Sequence, residues 1–396
     1  MVGQASVGLV VLSRMVSPSP RRGIHLEYSF APDAVQRGAT LANPLIDLLR
    51  TLRDSGSISA AARALGGSYR HTWGALKHWE QVLDAPLVVW TQGQAARLTP
   101  LAERLLWAET RARTRLTPHI EALRSELERT LSLAFDAAHD VLTVYASHDL
   151  ALPLLRDQAD AHGLHIDLRF AGSTDALQAL AQGRCDVAGF HVPLPDPATA
   201  QQPKHAMPTF ARALRGLLKP GRHKLIASHL RTQGLMLPAG NPRGLVRLAD
   251  LARPGLRFVN RQPGSGTRLL TEHLLAQAGI EPERIAGFHG PCEDTHVAVA
   301  AAVASGAADV GVGIEAAAAQ FGLAFVPLAD EAYYLVCLKE ALEREGVARL
   351  RTLLASEAWR SALLALAGCQ PAADAGAVLA LTRALPWWHY RTPRSA

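Results

Sequence analysis

The residues best placed to do chemistry in this chain are the run Arg261-Gln-Pro-Gly-Ser-Gly-Thr267. An apolar stretch at 256–260 reads as a strand before it, and residues 268–278 read as a helix after it. Glycines at 264 and 266 let the backbone approach a ligand closely. The N–H groups of Gly266, Thr267 and Arg268 would point out from the helix start, where the dipole favours negative charge. Ser265 and Thr267 add hydroxyl donors, and Arg261 adds a charge-assisted one. Together these residues describe an oxyanion site. No lysine follows the second glycine as a P-loop needs, the third glycine of a dinucleotide fingerprint is missing, and Ser265 lacks the frame of a nucleophile elbow. A glycine-rich turn without a ligand is the plainer alternative.

Two more loops should face this motif. Ser147 and His148 follow an apolar strand at 141–145, and Ser173 and Thr174 follow an alternating strand at 164–170. In α/β domains ligands sit at the carboxyl ends of strands. No acid/base pair or metal cluster stands out, so no catalytic residue, metal or cofactor is expected. Cys185, Cys292, Cys337 and Cys369 are scattered without a CxxC pair, against both a disulfide framework and a zinc site. Cys292 and His296 lie four apart, but a packed cysteine is the simpler reading.

The elements that must position these loops form an α/β domain, because from residue 141 strands alternate with helices and parallel pairing is expected. Two lobes are suggested by a short repeat: Gly183-Arg-Cys-Asp-Val-Ala188 and Gly306-Ala-Ala-Asp-Val-Gly311 each follow an alanine-rich helix and enter an apolar strand.

The front of the chain reads differently. Residues 44–53 carry leucine and isoleucine at helical spacing. Ser57 caps a second, alanine-rich helix over 58–65, and Gly66-Gly67 turns. Ser68 then caps a third helix from 69 to about 82. Small residues at the crossing suit a helix-turn-helix. Thr72, Leu76 and Trp79 form its inward stripe, so Tyr69, Arg70, Trp73 and Lys77 should point outward toward DNA, behind the cap Ser68. Strands at 86–90 and 95–99 around Gln92-Gly93-Gln94 make a wing that offers Gln94 and Arg97. From Pro100 a long amphipathic helix follows, with apolar residues from Leu101 to Leu131 as a dimer seam and Pro118 as a kink or break.

The boundaries expected are a disordered stretch at 1–22, a winged helix-turn-helix at 23–100, a linker and dimerisation helix at 101–135, and a two-lobed ligand-binding domain at 136–396. The 396 residues are too many for one ordinary core. A hydrophobic fraction of 48% with 19% charged residues is globular, and the net charge of +6 permits a nucleic-acid partner without requiring one. The apolar patch at 7–12 lacks a preceding basic residue and is a poor signal peptide, and the alanine-rich stretch at 297–314 is interrupted by polar residues. A soluble, cytoplasmic protein with no membrane partner is expected.

Two resemblances sharpen this. Gly56-Ser-Ile-Ser-Ala-Ala-Ala-Arg-Ala-Leu65, with Ser68 and Leu83-Asp-Ala-Pro-Leu87, resembles the DNA-binding region of LysR-type regulators. Ser68-Tyr-Arg-His-Thr-Trp73 is more similar to ModE-type molybdate-responsive regulators. Both imply a winged helix-turn-helix on a double-stranded operator, over residues 40–110. The chain departs from LysR proteins at 69–74, where aromatic and basic residues replace small polar ones. The second half resembles type-2 periplasmic binding proteins. Arg261 before Ser265-Gly266-Thr267 has the spacing of phosphate-binding members. Arg231-Thr-Gln-Gly-Leu235, Gly240-Asn-Pro242, Val259-Asn-Arg261, Gly264-Ser-Gly-Thr-Arg268 and Phe325-Val-Pro327 resemble a binding-protein-like domain found fused to helix-turn-helix domains or to molybdopterin-synthesis enzymes. The resemblances imply a homodimeric or higher-order regulator that senses a small anionic effector, molybdate or tungstate first. The alternatives are an organic acid or molybdenum-cofactor intermediate as effector, or a cofactor-synthesis enzyme with an accessory DNA-binding-like head.

Overall fold

The computed structural model describes residues 43–91, 94–135, 140–194 and 208–388; the stretch at 1–22 and the wing turn at Gln92-Gly93 lie outside the described residues. Three helices open the fold: α1 (Pro44–Ser55), α2 (Ile58–Ala64) and α3 (Tyr69–Leu83). Each starts at a side-chain cap. Asn43 Oδ1 accepts from the N–H of Leu45, Ser57 Oγ from Ala60 and Ser68 Oγ from His71, at 3.1, 3.2 and 3.2 Å. Leu49, Leu52, Ile58, Ala61, Leu76 and Leu87 close the small core. The alanines of α2 let it cross α1 and α3 closely.

The wing is β1 (Val88–Val89) against β2 (Arg97–Leu98), antiparallel with Val88 opposite Leu98. Glu80 fastens it to α3, accepting from the N–H of Leu87 at 2.9 Å and from Lys77 Nζ at 2.7 Å. Thr99 Oγ1 then caps α4 (Pro100–Phe135) through the N–H of Ala102. The helix runs unbroken across Pro118, so the expected division does not occur. Ala102 and Leu106 are buried, while Leu116 and Leu123 remain 39% and 48% exposed. Leu131 lies where side chains are not described.

The second half is built from β3 (Asp140–Ala146), α5 (Ala151–Ala161), β4 (Leu164–Phe170), α6 (Ser173–Ala181), β5 (Val187–Pro193), α7 (Pro208–Leu214) and β6 (His223–Leu237), then β7 (Phe258–Arg261), α8 (Gly266–Gln277), β8 (Cys292–Glu293), α9 (His296–Ala304), β9 (Val310–Ile314), α10 (Glu315–Gln320) and β10 (Ala324–Leu338). The strand order is β4-β3-β5-β10-β6-β9-β7-β8. One lobe holds β3, β4 and β5 in parallel, and the other holds β7, β8 and β9 in parallel. The expectation of parallel strands holds inside each lobe but not between them. The two 15-residue strands β6 and β10 run antiparallel and pass from one lobe into the other. The Gly-x-x-Asp-Val repeat is structural. Asp186 accepts the Thr143 N–H at 3.0 Å in the first lobe, and Asp309 accepts the Arg257 N–H at 2.9 Å in the second.

Where β6 crosses β10 the backbones touch. A Cβ on Gly234 would stand 2.2 Å from the Val326 carbonyl oxygen. Neither strand can yield without losing its ladder, so Gly234→Ala should lower stability by about 1–3 kcal/mol. Denaturant melts of the full chain check this; a variant as stable as the parent would show that the crossing is not tight.

Candidate functional site

The carboxyl ends of β3, β4, β5 and β7 meet the two hinge strands in the cleft between the lobes. Arg261, the last residue of β7, is buried there. Its Nε donates to the Glu293 carbonyl at 3.1 Å and its Nη2 to the Asp294 carbonyl at 2.7 Å. Its Nη1 has no hydrogen-bond partner among the described residues. Burial and then the neighbouring Arg231 pull the Arg261 guanidinium down to about 9. It is a buried cation whose fixed partners are carbonyls, which is the electrostatic condition for binding an anion.

The helix start beside it is partly committed. Ser265 Oγ accepts the Arg268 N–H at 3.2 Å, so Ser265 caps α8 and the Arg268 N–H is not available to a ligand, contrary to the sequence expectation. Gly266 and Thr267 remain in the first turn, both buried. A Cβ at 266 would stand 2.2 Å from His191 Nε2 and 2.9 Å from Ser173 Oγ, so only glycine fits between the lobes here. Ser173, the first residue of α6, keeps its buried Oγ unpartnered among the described residues. Thr174 spends its hydroxyl differently, donating across the cleft to the Gly264 carbonyl at 3.3 Å and holding the lobes together. Ser147 is also committed, since its Oγ donates to Tyr333 Oη at 3.2 Å. The His148 ring lies 4.9 Å from Phe170 and 6.2 Å from His296, with Nδ1 unpartnered.

Six further residues complete the cleft: Asp149, His191, Arg231, Gln233, His296 and Glu331 are all buried. Arg231 donates from Nη1 to Asp149 and from Nε to Glu331, the latter at 3.2 Å. His191 Nδ1 meets Glu331 Oε1 at 2.7 Å, and Gln233 Nε2 donates to Glu331 Oε2 at 2.6 Å. Burial alone would raise the Glu331 carboxyl, but His191, through its hydrogen bond, and the Arg231 charge outweigh it and hold it low. The same balance holds Asp149 well below the usual carboxylate range through His229 and Arg231. Burial, Arg261 and Arg231 push His148 down to about 3, and burial with the two arginines also lowers His296. His191 falls too, because burial and Arg231 exceed the pull of Glu331. None of the six was singled out as a ligand residue from sequence. The phrase Arg231-Thr-Gln-Gly-Leu235 was the available signal, but nothing local pairs it with Glu331, one hundred residues away.

The linker helix touches both lobes. Arg115 of α4 grips the Glu293 side chain with Nε and Nη2 at 2.8 and 2.5 Å, on the residue whose carbonyl Arg261 holds. Six residues on, Glu121 accepts from Arg156 of α5 in the other lobe at 2.5 Å.

On the head, Ser68 is spent as a cap, and Tyr69, Arg70, Gln94 and Arg97 are exposed. Trp73 departs from expectation. It is only half exposed, stacks with Tyr69 at 6.4 Å, tilts against Trp90 at 5.4 Å and packs on the small core. Lys77 lies 4.9 Å over the Trp73 ring and is paired with Glu80, so it too is partly engaged. The outward helical face therefore offers fewer free side chains than spacing implies. Among the described residues no group of three or more metal-ligating side chains gathers, and no helix is long and apolar enough to cross a membrane.

Fold and site together define a helix-turn-helix head on a two-lobed binding domain. The model of the PBP superfamily domain matches residues 156–355, and that of the bacterial regulatory helix-turn-helix protein, lysR family, matches residues 45–103. The chain belongs to the PBP superfamily and carries a LysR-family helix-turn-helix, the two-part build of LysR-type regulators. It is 34% identical over 200 residues to YvgK of Bacillus subtilis (strain 168), covering 50% of this chain and 61% of that one. It is 32% identical over 116 residues to the molybdenum-pterin-binding protein MopB of Rhodobacter capsulatus, covering 28% of this chain and 38% of that one. Among solved structures, an OxyR C206 mutant of Corynebacterium glutamicum is 18% identical with a TM-score of 0.42, covering 81% of this chain and 92% of that one. CbnR in complex with target DNA is 17% identical with a TM-score of 0.39, covering 78% and 98%.

The buried histidines set a pH response. Their folded values lie below the ordinary value of about 6.5, so the unfolded chain binds protons first as pH falls. The stability they protect is complete above that value and is lost from there downward, before the carboxylates titrate. The thermal midpoint should therefore drop between about pH 7 and pH 5, and His148→Gln with His296→Gln should flatten the drop. A midpoint that is level over this range in the parent would contradict neutral burial.

Proposed function

We propose that this protein is a cytoplasmic, non-enzymatic transcription regulator that binds duplex DNA through its helix-turn-helix as a homodimer and responds to a small anion held between the lobes. The observation that carries the effector half is Arg261, a buried cation with one guanidinium nitrogen that has no partner among the described residues, beside the start of α8. The LysR-family match over residues 45–103 and the exposed Arg70 on α3 support the DNA half. The exposed Leu116 and Leu123 offer α4 a partner seam.

On donor count alone, tetrahedral oxyanions such as molybdate or tungstate come first. Arg231 Nη2, Arg261 Nη1 and Ser173 Oγ are donors without a partner among the described residues, and MopB, named for binding molybdenum-pterin, is a relative. An organic acid or a cofactor intermediate is the second reading, favoured by Gln233 Oε1, an unpartnered acceptor that a bare oxyanion cannot satisfy.

The effector acts by favouring one arrangement of the lobes over another. The Arg115–Glu293 and Glu121–Arg156 pairs carry that choice to α4 and so to the spacing of two heads. DNA binding should weaken as salt rises, and Arg70→Ala should lower affinity by about 1–3 kcal/mol if it reads a base. Arg261→Ala should abolish effector binding while DNA binding remains. Equal DNA binding without residues 43–98 would sink the regulatory reading. Arg115→Ala should leave anion affinity within about twofold but uncouple it from DNA affinity; unchanged coupling would place the transmission elsewhere.

A further inference from the structure

The donors in the cleft point to an anion, and the acceptors say which kind. Glu331 is fully buried and ionised, and a carboxylate can only accept. The two neutral groups that face it must therefore turn their hydrogens toward it. His191 presents Nδ1–H at 2.7 Å and Gln233 presents its amide nitrogen at 2.6 Å. Once those orientations are set, the far ends of both side chains are fixed as lone pairs. Gln233 Oε1 is buried and accepts from no donor among the described residues. His191 Nε2 lies against the start of α8, within 2.2 Å of where a Cβ on Gly266 would be. Arg231 and Gln233, two residues apart on β6, lie on one face of that strand, the face of Glu331. The opposite face carries Thr232, which donates outward to Asp330 at 2.7 Å.

Among the described residues the cleft thus presents unpartnered donors on Arg231, Arg261 and Ser173 and a fixed, unpartnered lone pair on Gln233. A ligand made only of acceptors would satisfy the donors and confront Gln233 lone pair to lone pair. Leaving a buried acceptor unpaired weakens binding about tenfold or more, enough to decide between anions of similar size.

We propose that the effector is an anion that carries its own hydrogen-bond donor, an O–H or N–H directed at Gln233, with its charge on Arg261. This inference rests on the anion reading of the same site and narrows it. Two sources share the chemistry: a protonated oxyanion, and a small carboxylate bearing a hydroxyl or amino group. Sulfate, molybdate and tungstate, fully deprotonated near neutral pH, are disfavoured by the acceptor side although the donor side suits them.

The test is calorimetry on the full chain at near-neutral pH with matched pairs. Phosphate and arsenate, which keep a proton there, are set against sulfate, molybdate and tungstate. Small 2-hydroxy and 2-amino carboxylates are set against the same carboxylates without the substituent. At least one donor-bearing anion should bind about tenfold or more tighter than its donor-free partner. Which pair discriminates identifies the source. In Gln233→Met the preference should shrink, with Arg261→Ala losing both partners alike. If sulfate, molybdate or tungstate binds as tightly as any donor-bearing anion, the inference fails while the anion site stands. If no anion of either kind binds the parent, the anion reading fails first.

Discussion

The arrangement depends on one buried guanidinium. Arg231 is fully buried on the strand that joins the lobes, between Asp149 of the first lobe and Glu331 of the opposite hinge strand. Removing three charges from water is costly, and the cost is offset only while the geometry lasts. That requirement fixes the register of β6 against β10 at the hinge, where residue 231 pairs with residue 331. It also fixes chemistry at a distance. Glu331 stays ionised, so His191 and Gln233 must face it with their hydrogens. Arg231 stays charged, and after burial its charge helps lower Arg261 and His296.

The two guanidiniums of the cleft are held differently. Asp149 and Glu331 both bond Arg231, whereas among the described residues no carboxylate side chain bonds Arg261, whose fixed bonds go to two carbonyls. Tyr333 spans the first-lobe side, donating to the Ser147 carbonyl at 2.8 Å while its ring stacks on His229 at 4.8 Å. Thr174 and Gly264 close the other side. A wall made of such specific contacts accommodates a change of ligand poorly, so discrimination is expected to be steep rather than graded.

What the sequence made legible was local. Ser57, Ser68 and Thr99 announced three helix starts because a cap needs only its own next turn. The Gly-x-x-Asp-Val repeat marked two lobes because each aspartate serves the strand beside it. Arg261 was readable because its motif is contiguous with a strand end and a helix start. The rest of the site was not, since Asp149, His191, Arg231 and Glu331 meet only once two long strands have paired antiparallel, and spacing carries no information about that. Trp73 misled for a related reason. Helical period placed it outward, but Trp90 of the wing, seventeen residues on, folds back and covers it.

The position of α4 follows from these constraints and gives the site a route outward. Arg261 cannot move without releasing the carbonyls of Glu293 and Asp294, and Glu293 cannot move without pulling the Arg115 fork. Glu121 is held to the first lobe through Arg156, which is itself buried and bonded to Asp157. The two anchors sit six residues apart on one helix, a span of about 9 Å at 1.5 Å per residue. A helix does not stretch, so any change in the angle between the lobes must rotate α4, break an anchor or shift it along its axis. The Arg115 pair is the weaker anchor, because its guanidinium is half exposed whereas Arg156 is almost fully covered. Lobe movement on the proposed effector would therefore reach the DNA-binding head first through the Arg115 end, next to the residues that hold the anion.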